Sequence, residues 1–318
     1  MSLSLGRPVK RGIRSTPQSR DDAVRATDAD ALQSRVAALA AGYLAADPYA
    51  QYLTNVDEPP KRPVLINIGT ALRGNTIDRL VREFIDRAPA VQIVSIGAGS
   101  DTRFWRMQHA AIKRYIEVDF PQVAEAKAQR IAHTPLGDFV GTASSSGPVV
   151  IDAPVYALIG ADLRTVDWHA ALFSRLDTTL PTLFLYECVL AYLSPEAGDS
   201  LVASLATQVQ HAHIVCYDMC IAGDGQTDGS PSRFGHVMLE NLGMRRLELP
   251  GARAYTTPDA YAARFKKVLK DAGAQSLRQA WLALDPAERT RLSRLEGLDE
   301  VEELEMLLGH YCISWAHS

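Results

Sequence analysis

Asp119 and Glu117 stand about twenty residues beyond a glycine turn, Gly97-Ala98-Gly99-Ser100-Asp101-Thr102, an interval at which a carboxylate can meet both hydroxyls of a ribose. The two acids are two positions apart, so on a strand they face opposite ways and only one reaches a sugar. Asp119 is the better placed, being nearer the carboxyl end, where open α/β sheets bind their ligands. The turn is not the dinucleotide fingerprint, because Thr102 occupies the position of the third glycine. A tighter glycine pair suits S-adenosyl-L-methionine, which has no pyrophosphate to cradle; an ordinary strand-to-helix turn is the alternative.

Three more residues carry chemistry. Asp162 follows the apolar run Tyr156–Ile159, with Leu163 beside it. An acid there can take the exocyclic amine of adenine while its apolar neighbour covers the ring, or it can simply end a strand. Glu187 closes the apolar run Thr182–Tyr186; a carboxylate there is costly to bury without a partner and should face a cleft. Arg73 is expected in a glycine-flanked turn before a helix starting at Asn75 or Thr76, where it could grip a carboxylate in a two-pronged pair.

The elements that must hold these residues are strands alternating with helices. Val91–Ile96, Tyr115–Phe120, Tyr156–Ile159, Thr182–Tyr186 and His213–Cys220 are short β-rich runs. Pro121 and Ser194-Pro195 open helices. Late in the chain, 256–275 predicts a capped helix and a glycine turn, 276–284 a strand, and Tyr311–Ala316 a closing strand after a helix pair. That is the pattern of a mostly parallel sheet with an antiparallel edge. Residues 137–150 read as a surface loop, and Gly223–Gly235 as either a lid or an idle crossover. Before the first strand, a helical addition covers about residues 21–90. Leu32, Val36, Leu39 and Tyr43 form its stripe, Asp28 or Asp30 its cap, and Asp47-Pro48 its end. On residue type alone, Arg35 belongs to a solvated face of it.

Composition narrows the partners. Apolar residues make up 47% of the 318, enough for a large core. A net charge of −4 speaks against nucleic acid or an anionic membrane, and no apolar run spans a bilayer. Cys188, Cys216, Cys220 and Cys312 show no metal-ligand spacing and read as reduced thiols of a cytoplasmic protein. His211 and His213 have no third ligand near them in sequence, so no metal is expected. Residues 1–20 are basic, rich in serine and free of acids, like a transit peptide. Gly6, Pro8, Gly12 and Pro17 oppose an amphipathic helix there, and a disordered tail is the preferred reading.

Several blocks in this order resemble the leucine carboxyl methyltransferase family: DALQSR…GYL, INIGTALR, IGAGSDTRFWR, YIEVDFPQV, GADLR and LYECVLAYL. The resemblance runs from about Asp21 to the C-terminus. It implies a Rossmann-like class I S-adenosyl-L-methionine-dependent methyltransferase with a seven-stranded sheet, acting as a monomer on the C-terminal leucine carboxylate of the protein phosphatase 2A catalytic subunit. By the same resemblance Arg35 and Arg73 hold the cofactor's methionine carboxylate or a substrate carboxylate beside it. Gly97 abuts the cofactor, Asp119 takes the ribose, Asp162 and Leu163 the adenine, and Glu187 lies near the amino group. The family often has lysine where this chain has Arg35, which keeps the charge and changes the geometry. Rival readings are the transfer-RNA wybutosine methyltransferase, whose relatives carry a further repeat-built domain, a small-molecule O-methyltransferase, and a non-catalytic binding module.

Overall fold

The run Val91–Ile96, β1, has no polar face: each of its residues is buried, as a strand covered by helices on both sides must be. In a computed structural model of the chain, which describes residues 19–54, 58–226 and 228–318, β1 lies at the centre of a nine-stranded sheet. Its neighbours are β2 (Ile112–Asp119) and β6 (Thr182–Glu187), both parallel to it. Beyond them lie β5 (Tyr156–Gly160) and β7 (Ala212–Met219), again parallel. The far edge is antiparallel, with β9 (Tyr311–His317) on β7 and β8 (Asp271–Ser276) on β9. The seven strands β5-β2-β1-β6-β7-β9-β8 form the expected Rossmann-like arrangement. Strand order reverses between β1 and β6, and a crevice opens above the carboxyl ends at such a point.

Several expectations need correction. Residues 137–150 are not a plain loop: after a short helix, Leu136–Val140, the hairpin β3 (Ser144–Ser146) and β4 (Val149–Asp152) extends the β5 edge. Residues 277–282 are a helix rather than a strand, because Ser276 and Gln279 form a reciprocal capping box. The strand lies earlier, through Gly273, where a side chain would collide with the ring of Trp315 at 2.8 Å.

The first helix, α1 (Arg20–Ala40), begins at Ser19, whose side chain caps it in a box with Asp22. Asp28 and Asp30 are therefore interior. Of the expected tail, 1–18 lie outside the described residues, and Ser19 and Arg20 belong to the helix start. The next long helix, α2 (Val64–Ile85), starts well before Asn75, so Arg73 sits in a helix and not in a turn. Gly69 and Gly74 lie inside this helix, where a Cβ would find only ordinary contacts, with Leu308 at 3.9 Å and Leu44 at 3.4 Å. Helix α3 (Pro121–Ala132) follows β2, with Pro121 in its first turn as expected. Helices α4 (Leu277–Leu282) and α5 (Val301–Gly309) precede and follow a further helix, Pro286–Arg294, which buries Leu292, and α4 and α5 pack near α2. Apolar clusters on both faces of the sheet, around Phe104 and Phe184 respectively, make the core.

Candidate cofactor and acceptor cleft

A cleft of about 380 Å³ opens over the carboxyl ends of β1, β2 and β6, roofed by α1 and flanked by α2. Its polar arm is lined by Asp28, Gly97, Ser100 and Asp119. Its apolar arm is lined by Ile66, Leu277, Leu307, Leu308 and Tyr311. Arg35, Arg73 and Glu187 line the same cleft.

The polar arm depends on two backbone positions that exclude side chains. Gly97 has φ +65°, and a Cβ there would stand 2.5 Å from Val189. Gly99 has φ +47°, and its Cβ would collide with the Asp28 carboxylate. Both conformations favour glycine, and in both cases the space is filled by the protein itself. Asp28 reaches from α1 to accept from the Ser100 N–H at 2.6 Å and its hydroxyl at 2.8 Å, which locks the roof onto the turn. Asp119 accepts from the Gly99 N–H at 2.7 Å and from the Phe120 N–H at 2.7 Å. Burial raises its pKa to about 6, against the pull of those two N–H groups.

The ambiguity between Asp119 and Glu117 has a geometric answer. Glu117 is fully buried beneath the sheet end, where it accepts from Tyr156 at 2.7 Å and pairs with Lys127 at 2.5 Å. It does not line the cleft. Burial lifts its pKa to about 7 although Lys127 opposes the shift.

Glu187 lines the cleft, and the side chains of two arginines share it. One carboxylate oxygen accepts from Arg73 Nε and the other from Arg103 Nη1 at 2.6 Å. Burial alone would raise its pKa, yet Arg103 and Arg73 outweigh that and hold it at about 2. Directly after it, Cys188 adopts φ +57°, a strained value for a non-glycine residue, and turns the chain out of the strand. Burial pushes its thiol up to about 12.

Arg103 is the residue that sequence reasoning missed. It is buried and also donates to Asp78 of α2 at 2.7 Å and Asp101 of the turn at 2.8 Å. Arg106 adds a second bond to Asp78, at 2.5 Å. Asp47, expected only to end a helical segment, is buried and accepts from Arg35 at 2.9 Å and Thr102 at 2.6 Å. The solvated-face reading of Arg35 is thereby overturned: it is part-buried and lines the cleft. A signal for Arg103 existed, since Asp101 and Arg103 follow a buried strand directly and must find partners there.

Asp162 and Leu163 are not among the residues lining the cleft. The Asp162 carboxylate is held by its neighbour Arg164 at 2.6 Å, which lowers its pKa, and Arg164 also binds Asp21 of α1 at 2.8 Å. A bridge from the roof helix thus holds Asp162, the residue expected to meet adenine, outside the cleft lining. Gly223–Gly235, among its described residues, does not line the cleft either. It is tied down by Ser232, whose hydroxyl pairs with His310 at 2.5 Å, and by Asp224, which accepts from Arg278 at 3.0 Å. A third histidine, His317, does lie near His213, with ring centroids 5.7 Å apart. Among the described residues, no group of three His, Cys, Asp or Glu side chains could hold a metal ion. None of the described helices is long and apolar enough to cross a membrane.

Comparison with known proteins identifies the family. A family model described as leucine carboxyl methyltransferase matches residues 23–206. Leucine carboxyl methyltransferase 1 of Mycosarcoma maydis is 36% identical, over 95% of this chain and 78% of its own length. The Bos taurus protein of the same name is 33% identical, over 99% of this chain and 96% of its own. Among solved structures, a candidate methyltransferase of Thermobifida fusca superposes with a TM-score of 0.53 at 15% identity, covering 80% of this chain and 83% of its own, which speaks for the fold alone. Matched by that family model over residues 23–206 and by these relatives over most of its length, the chain belongs to the leucine carboxyl methyltransferase family.

Proposed function

We propose that this protein transfers a methyl group from S-adenosyl-L-methionine to the α-carboxylate of a C-terminal leucine, the acceptor implied by the resemblance being the protein phosphatase 2A catalytic subunit. The observation that carries the reading is one cleft whose lining brings together the carboxylate of Asp119 beside the glycine turn, the apolar residues Ile66, Leu277, Leu307 and Leu308, and Arg73.

The residues fit the cofactor at two of its three parts. Asp119 retains lone pairs beyond those used by Gly99 and Phe120, so it can accept from two hydroxyls. Arg35 and Arg73 supply positive charge for an amino-acid carboxylate, and Glu187 supplies negative charge for its amino group. At the adenine end, Asp162 with Leu163 serves only if Arg164 releases the carboxylate.

When bound, S-adenosyl-L-methionine supplies a methyl group on a positively charged sulfur. A C-terminal carboxylate has a pKa of about 3.5 and is an anion at neutral pH, so no general base is needed. The acids of the cleft suit this. Glu187, held at about 2 between two arginines, is a poor proton acceptor. Cys188, pushed up to about 12, stays a thiol and does not compete as a nucleophile. Arg73 orients the acceptor and the apolar arm takes its side chain and keeps water away, which are contributions of alignment and desolvation.

The test is incubation with labelled S-adenosyl-L-methionine and phosphatase subunits with and without the terminal leucine. Label transferred only to the intact terminus is expected. Cofactor binding by calorimetry without transfer would make the protein a binding module, and transfer to small hydroxyl compounds alone would remove the carboxylate acceptor.

A further inference from the structure

Arg73 is held on two sides in different ways. Its Nε donates to Glu187, which pins one edge of the guanidinium but leaves the plane free to swing about that bond. Its Cζ lies 4.7 Å from the ring centroid of Tyr217, close enough for a cation–π contact. Tyr217 comes from β7 and is buried to 5% exposure, so its ring has little freedom. Tyr311 of β9 is stacked on it, with centroids 5.6 Å apart and planes within 2°. The two tyrosines are diagonal neighbours on antiparallel strands, since Met219 pairs with Tyr311 and Tyr217 with Ile313. Among the described residues, no hydrogen bond occupies Nη1 or Nη2 of Arg73, and the residue lines the cleft.

We propose that Tyr217, backed by Tyr311, is a positioning residue that sets the plane of the Arg73 guanidinium, so that its Nη edge meets a carboxylate in the cleft flat on. A two-pronged arginine–carboxylate pair needs the two groups nearly coplanar. Glu187 supplies the hinge and the ring supplies the plane. The inference rests on the reading that Arg73 engages a carboxylate, which is that of the cofactor's amino-acid end or of the acceptor's C-terminus.

Three measurements on Tyr217→Phe, Tyr217→Leu, Tyr311→Phe and Tyr311→Leu test it. They are the Kd for S-adenosyl-L-methionine, the Kd for 5′-methylthioadenosine, which has the nucleoside and no carboxylate, and the KM for a peptide ending in leucine. Tyr217→Phe keeps the face of the ring and is expected within about two-fold of the wild type. Tyr217→Leu is expected to lose about ten-fold, consistent with a desolvated cation–π contact. The loss falls on the Kd for S-adenosyl-L-methionine if Arg73 holds the cofactor, and on the acceptor KM if it holds the acceptor. Binding of 5′-methylthioadenosine stays unchanged, which also shows that the variant is folded. Tyr311→Leu shows the same pattern at about three-fold, rescued in Tyr311→Phe. Equal behaviour of the Leu and Phe variants, or an equal loss of 5′-methylthioadenosine, overturns the proposal. Should Tyr217→Leu not fold, the Tyr311 pair decides by the same criterion. A wild type that binds S-adenosyl-L-methionine without methylating leucine ends would defeat the proposed function, while the two-ligand comparison still decides the role of the tyrosines.

Discussion

The two arms of the cleft are built by opposite means. The polar arm is made of backbone and carboxylates: Gly97 and Gly99 at positive φ, and Asp119 tied to the Gly99 N–H. Nearly all of it lies between residues 97 and 119, and only Asp28 of α1 comes from far away. The apolar arm has no such local unit. Ile66 comes from α2, Leu277 from α4, Leu307 and Leu308 from α5, and Tyr311 from β9. Arg103 joins the halves, because its single guanidinium binds Asp101 of the turn, Asp78 of α2 and Glu187 of β6. Directional recognition of a nucleoside needs groups fixed to the strand ends, whereas an apolar side chain needs only a wall, which any packed helix can supply.

This contrast can be broken or sharpened at four points. Arg103→Ala should have the largest effect, since it leaves three buried or part-buried carboxylates without their shared cation. A loss of about 3–5 kcal/mol in urea unfolding is expected, with both arms impaired. A folded variant that keeps acceptor affinity while losing the cofactor would show that the arms do not depend on one hub. Asp119→Ala comes next: the Kd for S-adenosyl-L-methionine should rise roughly ten- to hundred-fold, the scale of one charged hydrogen bond, with the acceptor KM unchanged. Ile66→Ala should do the reverse. Ile66 is 37% exposed, so the fold should tolerate the change, and the acceptor KM should rise about three- to ten-fold at constant cofactor Kd.

The smallest effect concerns pH. Asp119 has its pKa raised to about 6 by burial, and its ionised form is the better acceptor for ribose hydroxyls. Cofactor affinity should therefore be full above pH 7 and fall several-fold as the pH drops through about 6. Glu187, held near 2, stays ionised throughout, so the acceptor KM should stay flat between pH 5 and 8. Asp119→Asn should remove the pH dependence of cofactor binding; its persistence in that variant would assign it to another group.

Some of the architecture was legible because it is locally encoded. The β-rich runs are buried strands since they have no polar face, and Pro121 and Ser194 open helices where capping chemistry says they should. Other elements were misread where packing outvoted local signals. Gly69 and Gly74 suggested a turn around Arg73, but the apolar face of Ile68, Leu72, Ile77 and Val81 is buried and the helix runs through both glycines. Gly273 suggested a turn, but it is a strand residue that makes room for Trp315. The small residues of 137–150 hid a hairpin whose pairing depends on the β5 edge.

What the sequence by itself determined is the strand–turn–strand unit around Gly97 and the position of Asp119 at its rim, because glycine conformation, strand alternation and capping act within a few residues. What only the tertiary structure decided is which charges meet. Arg73 and Glu187 are 114 positions apart, Asp162 faces Arg164 and the roof helix instead of the cleft, and Arg103 gathers acids from three elements. Charged side chains are long and nearly indifferent to local conformation, so their partners are chosen by the desolvation that folding imposes, which no short stretch of chain can express.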